Sequence, residues 1–80
     1  MQLRPVSSEK AVKMIELDNV LLFETSMKVS KPEIAKEIQK LFNVKVDAVR
    51  TNIRANKKYA YVKLNKANPA IDLATKLGMI

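Results

Sequence analysis

Apolar residues in the first part of the chain recur with helical spacing and then give way to a short apolar run. Ser7-Ser8 can cap a helix, and the apolar positions that follow stay on one face until Asp18-Asn19 interrupts them. This pattern predicts a first helix over about residues 8–17. Residues 20–26 are rich in β-favouring apolar side chains and too few for an independent buried helix, so they predict a central strand.

A capping-box spacing marks the start of a second helix. Ser30 and Glu33 are three residues apart, the spacing at which each side chain can bond the backbone N–H of the other residue. The apolar residues that follow at i, i+4, i+7 and i+8 are Ile34, Ile38, Leu41 and Phe42. We therefore predict a helix over residues 30–42 with these four side chains on its core face.

Strict alternation replaces helical spacing in the second half of the chain. Residues 44–54 alternate in two phases that slip near Ala48, which indicates a β-bulge within a strand. After a turn-like segment at 55–57, residues 58–65 alternate again, so the two strands are predicted to form a hairpin.

A third helix is predicted at the end of the sequence, over about residues 69–77. Asn68-Pro69 supplies a candidate N-cap and a first-turn proline, and Gly78 is a stop signal. The expected apolar face consists of Ile71, Ala74 and Leu77.

These elements follow the order helix, strand, helix, strand, strand, helix, which predicts an α+β fold with helices packed on a mainly antiparallel sheet. A right-handed helical crossover would join the first two strands. Placing residues 58–65 between 20–26 and 44–54 gives a split βαβ-like arrangement, and a fourth strand from the amino-terminal residues stays open. Eighty residues allow one modest core, so residues 1–80 are expected to form a single domain.

Positive charge is the property of the composition that changes this picture. Fifteen Lys and Arg against eight Asp and Glu give a net charge of +7 and a pI near 9.9, which points to a polyanionic partner. The sequence contains no cysteine and no histidine, which removes disulfides, thiolate metal sites and the commonest general base. It also lacks a glycine-rich phosphate loop, a nucleophile with a base and a carboxylate cluster, so we predict neither an enzyme nor a cofactor.

The hydropathy of the chain argues against a membrane protein. No apolar run approaches the roughly 20 residues that a membrane span needs, and the first residues lack the apolar stretch of a secretory signal. The expected location is therefore cytoplasmic.

The hairpin strands carry the main candidate site, a face where cationic and aromatic side chains alternate. Guanidinium groups grip phosphates, tyrosine rings stack on unpaired bases, and an Asn side chain can bond base edges or sugars. The predicted RNA contacts on this face are Arg50, Asn52, Arg54, Tyr59, Tyr61 and Lys63. An ordinary solvated strand face would show the same alternation, and this alternative stays open.

Further candidate phosphate contacts lie outside that alternation. They are Arg4, Lys10 and Lys13 near the start of the chain, and Lys57 and Lys58 beside the hairpin turn. The lysines of the second helix alternate instead with glutamates, so screened surface pairing accounts for them.

Four segments, in this order and spacing, resemble the ribosomal protein L twenty-three family of the large subunit in its compact archaeal form. The resemblance covers nearly the whole chain. The segments are Arg4-Pro5-Val6-Ser7-Ser8-Glu9-Lys10-Ala11, Lys31-Pro32-Glu33-Ile34 through Leu41-Phe42-Asn43-Val44-Lys45-Val46, Ala60-Tyr61-Val62-Lys63-Leu64, and Asp72-Leu73-Ala74-Thr75-Lys76-Leu77-Gly78.

This resemblance implies binding to large-subunit ribosomal RNA beside the exit of the nascent-peptide tunnel, and contact with a small helical ribosomal neighbour. It also implies a docking platform for signal recognition particle or other nascent-chain factors. In bacterial members the acidic residue of the Ser-Glu-Lys motif contacts a chaperone, and that position is Glu9 here. A plain carboxylate in the first turn of a helix is the structural alternative for Glu9.

The sequence also departs from the family pattern. Bacterial members carry a long basic hairpin loop that reaches into the tunnel, whereas the turn here has only a few residues, so no tunnel-lining contact is expected. Family members usually carry a basic pair directly before the Ala-aromatic-Val core of the last strand, and these two positions are Lys58-Tyr59 here. Arg50 replaces a frequent asparagine.

Two other functions are compatible with the same residues. One is a free-standing binder of single-stranded RNA that stacks bases on Tyr59 and Tyr61. The other is a protein–protein adaptor whose charge only maintains solubility.

Overall fold

The computed structural model describes residues 3–79, which form a four-stranded sheet and three helices. In chain order the elements are β1 (Leu3–Pro5), α1 (Glu9–Asp18), β2 (Val20–Thr25), α2 (Lys31–Phe42), β3 (Val46–Arg54), β4 (Lys57–Leu64) and α3 (Ala70–Lys76). This α+β architecture confirms the predicted order of helices and strands. Among the described residues 3–79, no helix is both long and apolar enough to cross a bilayer.

The strands are arranged in the order β1-β2-β4-β3, and each neighbouring pair is antiparallel. β4 therefore lies between β2 and β3, as the split arrangement predicted. The amino-terminal strand left open by the sequence is present as β1, which pairs with β2. The predicted bulge is also present, because the register of β3 shifts between Val46 and Ala48.

The core lies between one face of the sheet and the three helices. β2 and β4 contribute Leu21, Phe23, Ala60, Val62 and Leu64, each at most 1% exposed. The helical side chains of the same buried cluster are Ile15, Ile34, Ile38, Ala70, Leu73 and Ala74. Each large apolar side chain buried here contributes about 1.5–3 kcal/mol, so this packing fixes which sheet face is covered.

Side-chain caps define where the first two helices begin. The Ser8 hydroxyl accepts from the Ala11 N–H at the start of α1. Ser30 and Glu33 form the predicted capping box at the start of α2. Both helices end at an asparagine in the left-handed conformation, Asn19 with φ 57° and Asn43 with φ 53°.

The predicted Asn68-Pro69 cap of α3 is wrong. Pro69 occupies the N-cap position without a side-chain hydrogen bond, and the Ala70 N–H donates instead to the side-chain oxygen of Asn19. The Asn19 amide nitrogen donates to the backbone carbonyls of Leu64, Asn65 and Asn68 at 3.1–3.2 Å. Asn19 thus joins the α1–β2 junction to the β4–α3 connection, a role that only the folded chain reveals.

Two predicted core positions face solvent. Ile71 is 39% exposed, because α3 packs through Ala70, Leu73 and Ala74, and small Ala70 lets the helix approach closely. Leu41 is 58% exposed. At its end of α2 the partly buried side chains of Phe42, Val44 and Val46 pack against the core instead.

Candidate nucleic-acid interface

The sheet face opposite the helices carries most of the predicted site. Side chains alternate along a strand, so residues paired with Tyr61 or Tyr59 share the face that the helices leave open. Tyr61 lies between Leu22 and Arg50, and Tyr59 lies between Glu24 and Asn52. We call this surface the open face, and it comprises Arg4, Val20, Leu22, Glu24, Ala48, Arg50, Asn52, Arg54, Lys57, Tyr59, Tyr61 and Lys63.

Eight of the predicted RNA contacts are brought together on the open face: Arg4, Arg50, Asn52, Arg54, Lys57, Tyr59, Tyr61 and Lys63. The two tyrosines are half-buried, which fixes their rings within the surface, while the cationic side chains are exposed. Flat rings held between exposed cations are the arrangement that suits stacked bases joined by phosphates.

Arg54 and Tyr59 contact each other across the hairpin. The guanidinium carbon of Arg54 lies 5.6 Å from the centre of the Tyr59 ring. This cation–π contact, worth about 0.5–1 kcal/mol at an exposed site, orders a long side chain before any ligand arrives.

The hairpin turn brings two cations side by side. Ala55 and Asn56 both have positive φ, 51° and 62°, the conformation of a two-residue type I′ turn. The turn sets Arg54 directly opposite Lys57 in the register. Like charges in such a cross-strand pair are destabilising, so an anion bound at this end of the open face would relieve their repulsion.

Lys58 belongs to the other face of the sheet. It pairs with Thr25 and Ile53, in phase with the buried Ala60. Its ammonium group donates to the carbonyl of Val29, just before α2 begins. The structure therefore separates Lys58 from the other hairpin cations and gives it a structural contact.

Arg4 differs from the other cations of the open face. Its cross-strand partner is Glu24, an acidic residue next to Tyr59 that the sequence interpretation did not include in the site. An opposite charge directly across the strand offsets part of the positive potential at Arg4. The strongest cationic surface therefore lies toward β3 and the hairpin turn.

Helix α1 carries the three remaining predicted residues, Glu9, Lys10 and Lys13, all exposed. Lys10 is four residues before Met14, so the two lie on the same side of the helix. Met14 borders the open face, which extends the cationic surface toward Lys10. Glu9 lies in the first turn of α1, away from this border.

The end of α1 and the open face enclose a recess of about 410 Å³. Its lining is Met14, Asp18, Val20, Ala48, Arg50, Tyr61 and Lys63. Sequence reasoning missed Asp18 and Met14 as site residues, because the packing of α1 against the sheet brings them there. Val20 could have been found from the sequence, since alternation along β2 places it on the face opposite the buried Leu21 and Phe23. Leu22 shares that face but is only 8% exposed.

Within residues 3–79 no cluster of acidic side chains could hold a metal ion. Fold and surface together define a class: a small basic α+β protein that buries one sheet face under helices and presents cations and tyrosines on the other.

Comparison with known proteins identifies the family. Residues 1–71 match the family described as Ribosomal protein L23. The large ribosomal subunit protein uL23 of Pyrobaculum aerophilum is 43% identical over 79 residues, which cover 96% of both chains. The uL23 proteins of Saccharomyces cerevisiae and Trypanosoma brucei brucei are 41% and 40% identical. The chain belongs to this ribosomal protein family, and the predicted resemblance is confirmed.

The relatives differ in length. The alignment covers 55% of the yeast protein and 47% of the trypanosome protein, so the chain spans about half the length of these relatives. Members of the family are structural, non-enzymatic components of the large ribosomal subunit, which confirms the prediction that the chain is not an enzyme. A ribosome-bound location follows from the same membership.

Proposed function

We propose that the chain acts as one ribosomal RNA-binding domain, and that its open face binds large-subunit ribosomal RNA near the exit of the nascent-peptide tunnel. The observation that carries this proposal is the register of β3 and β4, which pairs Arg50 with Tyr61 and Arg54 with Lys57 on the sheet face opposite the buried core. A net charge of +7 gives the whole chain the corresponding attraction to polyphosphate.

The binding mechanism divides between charge and shape. Phosphates neutralised by Lys and Arg release their counterions, which supplies most of the affinity and makes it fall with salt. Arginine can hold a phosphate through two parallel N–H groups, and the tyrosine rings accept unpaired bases. The buried core keeps these groups in one plane, so the domain reads the shape of folded RNA.

Binding as a function of salt tests this proposal. Exchanging both Arg50 and Arg54 for Ala should weaken binding to large-subunit ribosomal RNA and reduce the slope of log K against log salt by roughly one unit per lost phosphate contact. A matched control exchanges Lys36 and Lys40 of α2, which removes the same charge from the opposite side of the sheet. Equal effects of the two double variants would show that the open face has no special role.

Sedimentation tests the ribosomal assignment itself. The tagged chain should sediment with large subunits and crosslink to their RNA. Sedimentation only with free messenger RNA would favour the free-standing RNA binder. Salt-independent or absent RNA binding would favour the protein–protein adaptor.

We further propose that α1 takes part in docking signal recognition particle or other exit-site factors through Glu9, beside a small helical ribosomal neighbour. The support is the family relationship together with the exposure of Glu9 in the first turn of α1. Because the sequence contains no cysteine, Glu9→Cys introduces a unique site for a crosslinker. Crosslinks to exit-site factors at this position, and none from Lys36→Cys, would support the docking role; equal labelling from both would contradict it.

A further inference from the structure

The carboxylate of Asp18 occupies a position that the fold alone does not explain. It is the last residue of α1, whose final turn contains no basic side chain. A negative charge is unfavourable there, because the carbonyl end of a helix already carries partial negative charge. Asp18 is exposed and is also one of the residues that line the recess on the open face.

The recess combines apolar surface with charges of both signs. Met14, Val20 and Ala48 provide apolar walls, and Tyr61 provides a flat ring. Arg50 and Lys63 add two cations. Arg50 is the cross-strand partner of Tyr61, and Lys63 lies two residues after Tyr61 on the same strand. The volume of about 410 Å³ falls within the roughly 300–1,000 Å³ of small-ligand sites.

We propose that this recess holds an unpaired guanine of the bound RNA. The base would lie against Tyr61, its Watson–Crick edge would face Asp18, and its phosphate would contact Arg50 or Lys63. This inference rests on the proposed function and adds a base preference to it.

The chemistry of the base edges selects guanine. A carboxylate accepts two parallel hydrogen bonds when a partner presents two adjacent donors. Guanine does so through N1–H and the N2 amino group, whereas adenine, cytosine and uracil each place an acceptor beside their donor. Each of those three bases would bring an acceptor against the Asp18 carboxylate, so one carboxylate oxygen would be repelled by the base or left without a hydrogen bond.

Charge balance in the recess favours a nucleotide within a chain. Two cations beside one carboxylate leave a positive excess for a phosphate after Asp18 has engaged the base. Two further cations of the open face, Arg54 and Lys57, lie toward the hairpin turn and can contact the flanking phosphates.

The test uses the full chain and three fluorescein-labelled single-stranded RNAs in dilute salt. One is plain oligouridine, and the other two are oligouridines with one central purine, guanosine in one and inosine in the other. Inosine lacks only the N2 amino group and so removes one of the two donors. A bidentate contact predicts that the guanosine RNA binds about 5- to 150-fold more tightly than plain oligouridine. Its advantage over the inosine RNA should lie near the lower end of that range, because inosine keeps one of the two donors.

Two variants locate the preference. Asp18→Asn should abolish the guanosine preference while binding to plain oligouridine stays within about twofold, because single-stranded affinity comes from the cations and rings. Since the charge on Asp18 opposes the helix dipole, this variant should fold at least as well as the native chain. Glu16→Gln removes the same charge from an exposed position of α1 and should leave the preference unchanged.

The outcomes separate this inference from the proposed function. RNA binding with no preference for guanosine, or a preference that survives Asp18→Asn, would overturn the guanine site and leave the proposed function intact. Loss of the preference in both Asp18→Asn and Glu16→Gln would reduce it to an effect of net charge and would also overturn the site. Absence of all RNA binding would overturn the proposed function and this inference together.

Discussion

The Arg54 guanidinium carbon lies 5.6 Å from the centre of the Tyr59 ring, and this contact spans the two strands that carry the candidate RNA surface. Arg54 also faces Lys57 directly across the hairpin. The ring therefore offsets some of the repulsion between two cations that the turn forces together. The same contact holds the guanidinium beside a surface suited to stacking.

The Arg54–Tyr59 contact should appear as a measurable coupling in stability. We expect a double-mutant cycle with Arg54→Ala and Tyr59→Leu to give a coupling free energy of about 0.5–1 kcal/mol in urea unfolding. A cycle with Arg50→Ala and Tyr59→Leu is the control, since Arg50 lies opposite Tyr61 instead. Equal coupling in the two cycles would show that the Arg54 contact has no specific energy.

Asn19 should be the most sensitive polar residue of the fold. Its side chain contacts four backbone groups and connects the α1–β2 junction to the end of β4 and the segment before α3. The amide nitrogen has only two hydrogens, so these contacts amount to about three full hydrogen bonds. At about 0.5–1.5 kcal/mol each, their loss in Asn19→Ala should cost about 1.5–4.5 kcal/mol in the free energy of unfolding.

Asn43→Ala provides the matched control for Asn19→Ala. Asn43 ends α2 in the same left-handed conformation, with φ 53° against 57° for Asn19. The backbone penalty for Ala is therefore similar at both positions, and the difference between the variants reports the side-chain bonds. A difference below about 0.5 kcal/mol, the size of a single weak bond, would refute the anchoring role.

Thr25 presents the opposite case, a buried polar atom without a partner. Its hydroxyl oxygen makes no hydrogen bond within residues 3–79, and the residue is 9% exposed. Thr25→Val keeps the shape of the side chain and removes the unpaired hydroxyl, so we expect the free energy of unfolding to rise by about 1 kcal/mol. Thr51→Val, at a half-buried position of β3, should change it less. Thermal denaturation of both variants decides the point, and destabilisation by Thr25→Val would contradict it.

Local patterns in the sequence predicted the features that depend on neighbouring residues. The capping box at Ser30 and the bulge near Ala48 are examples, because each depends on spacing within a few positions. Alternation also placed Arg50 and Tyr61 on one face, and the position of β4 between β2 and β3 followed from connection rules. Structural features that depend on the spacing of nearby residues were therefore predictable from the sequence.

The remaining features depend on contacts between distant segments. Asn19 bonds groups 45–51 residues away, so no local pattern distinguishes it from an ordinary helix-ending asparagine. Asp18 joins the recess only because the packing of α1 against the sheet brings it there. Lys58 is different, since it lies two residues before the buried Ala60, and strand alternation therefore already predicted that both face the helices. Its proximity to the turn suggested a phosphate contact, and the phase of the strand was the better guide.

Lys57 and Lys58 provide an internal comparison, because neighbouring residues of one strand point to opposite faces. Lys57 is exposed on the open face, whereas the ammonium of Lys58 donates to the Val29 carbonyl. We expect Lys57→Ala to reduce the salt slope of RNA binding by about one unit, with no loss of stability. Lys58→Ala should lower the melting temperature and leave the slope unchanged. Titrations in increasing KCl and thermal melts of the two variants measure both effects. A reduced slope in Lys58→Ala would mean that RNA contacts the helical face of the sheet. That result would contradict the proposal that the open face is the binding surface.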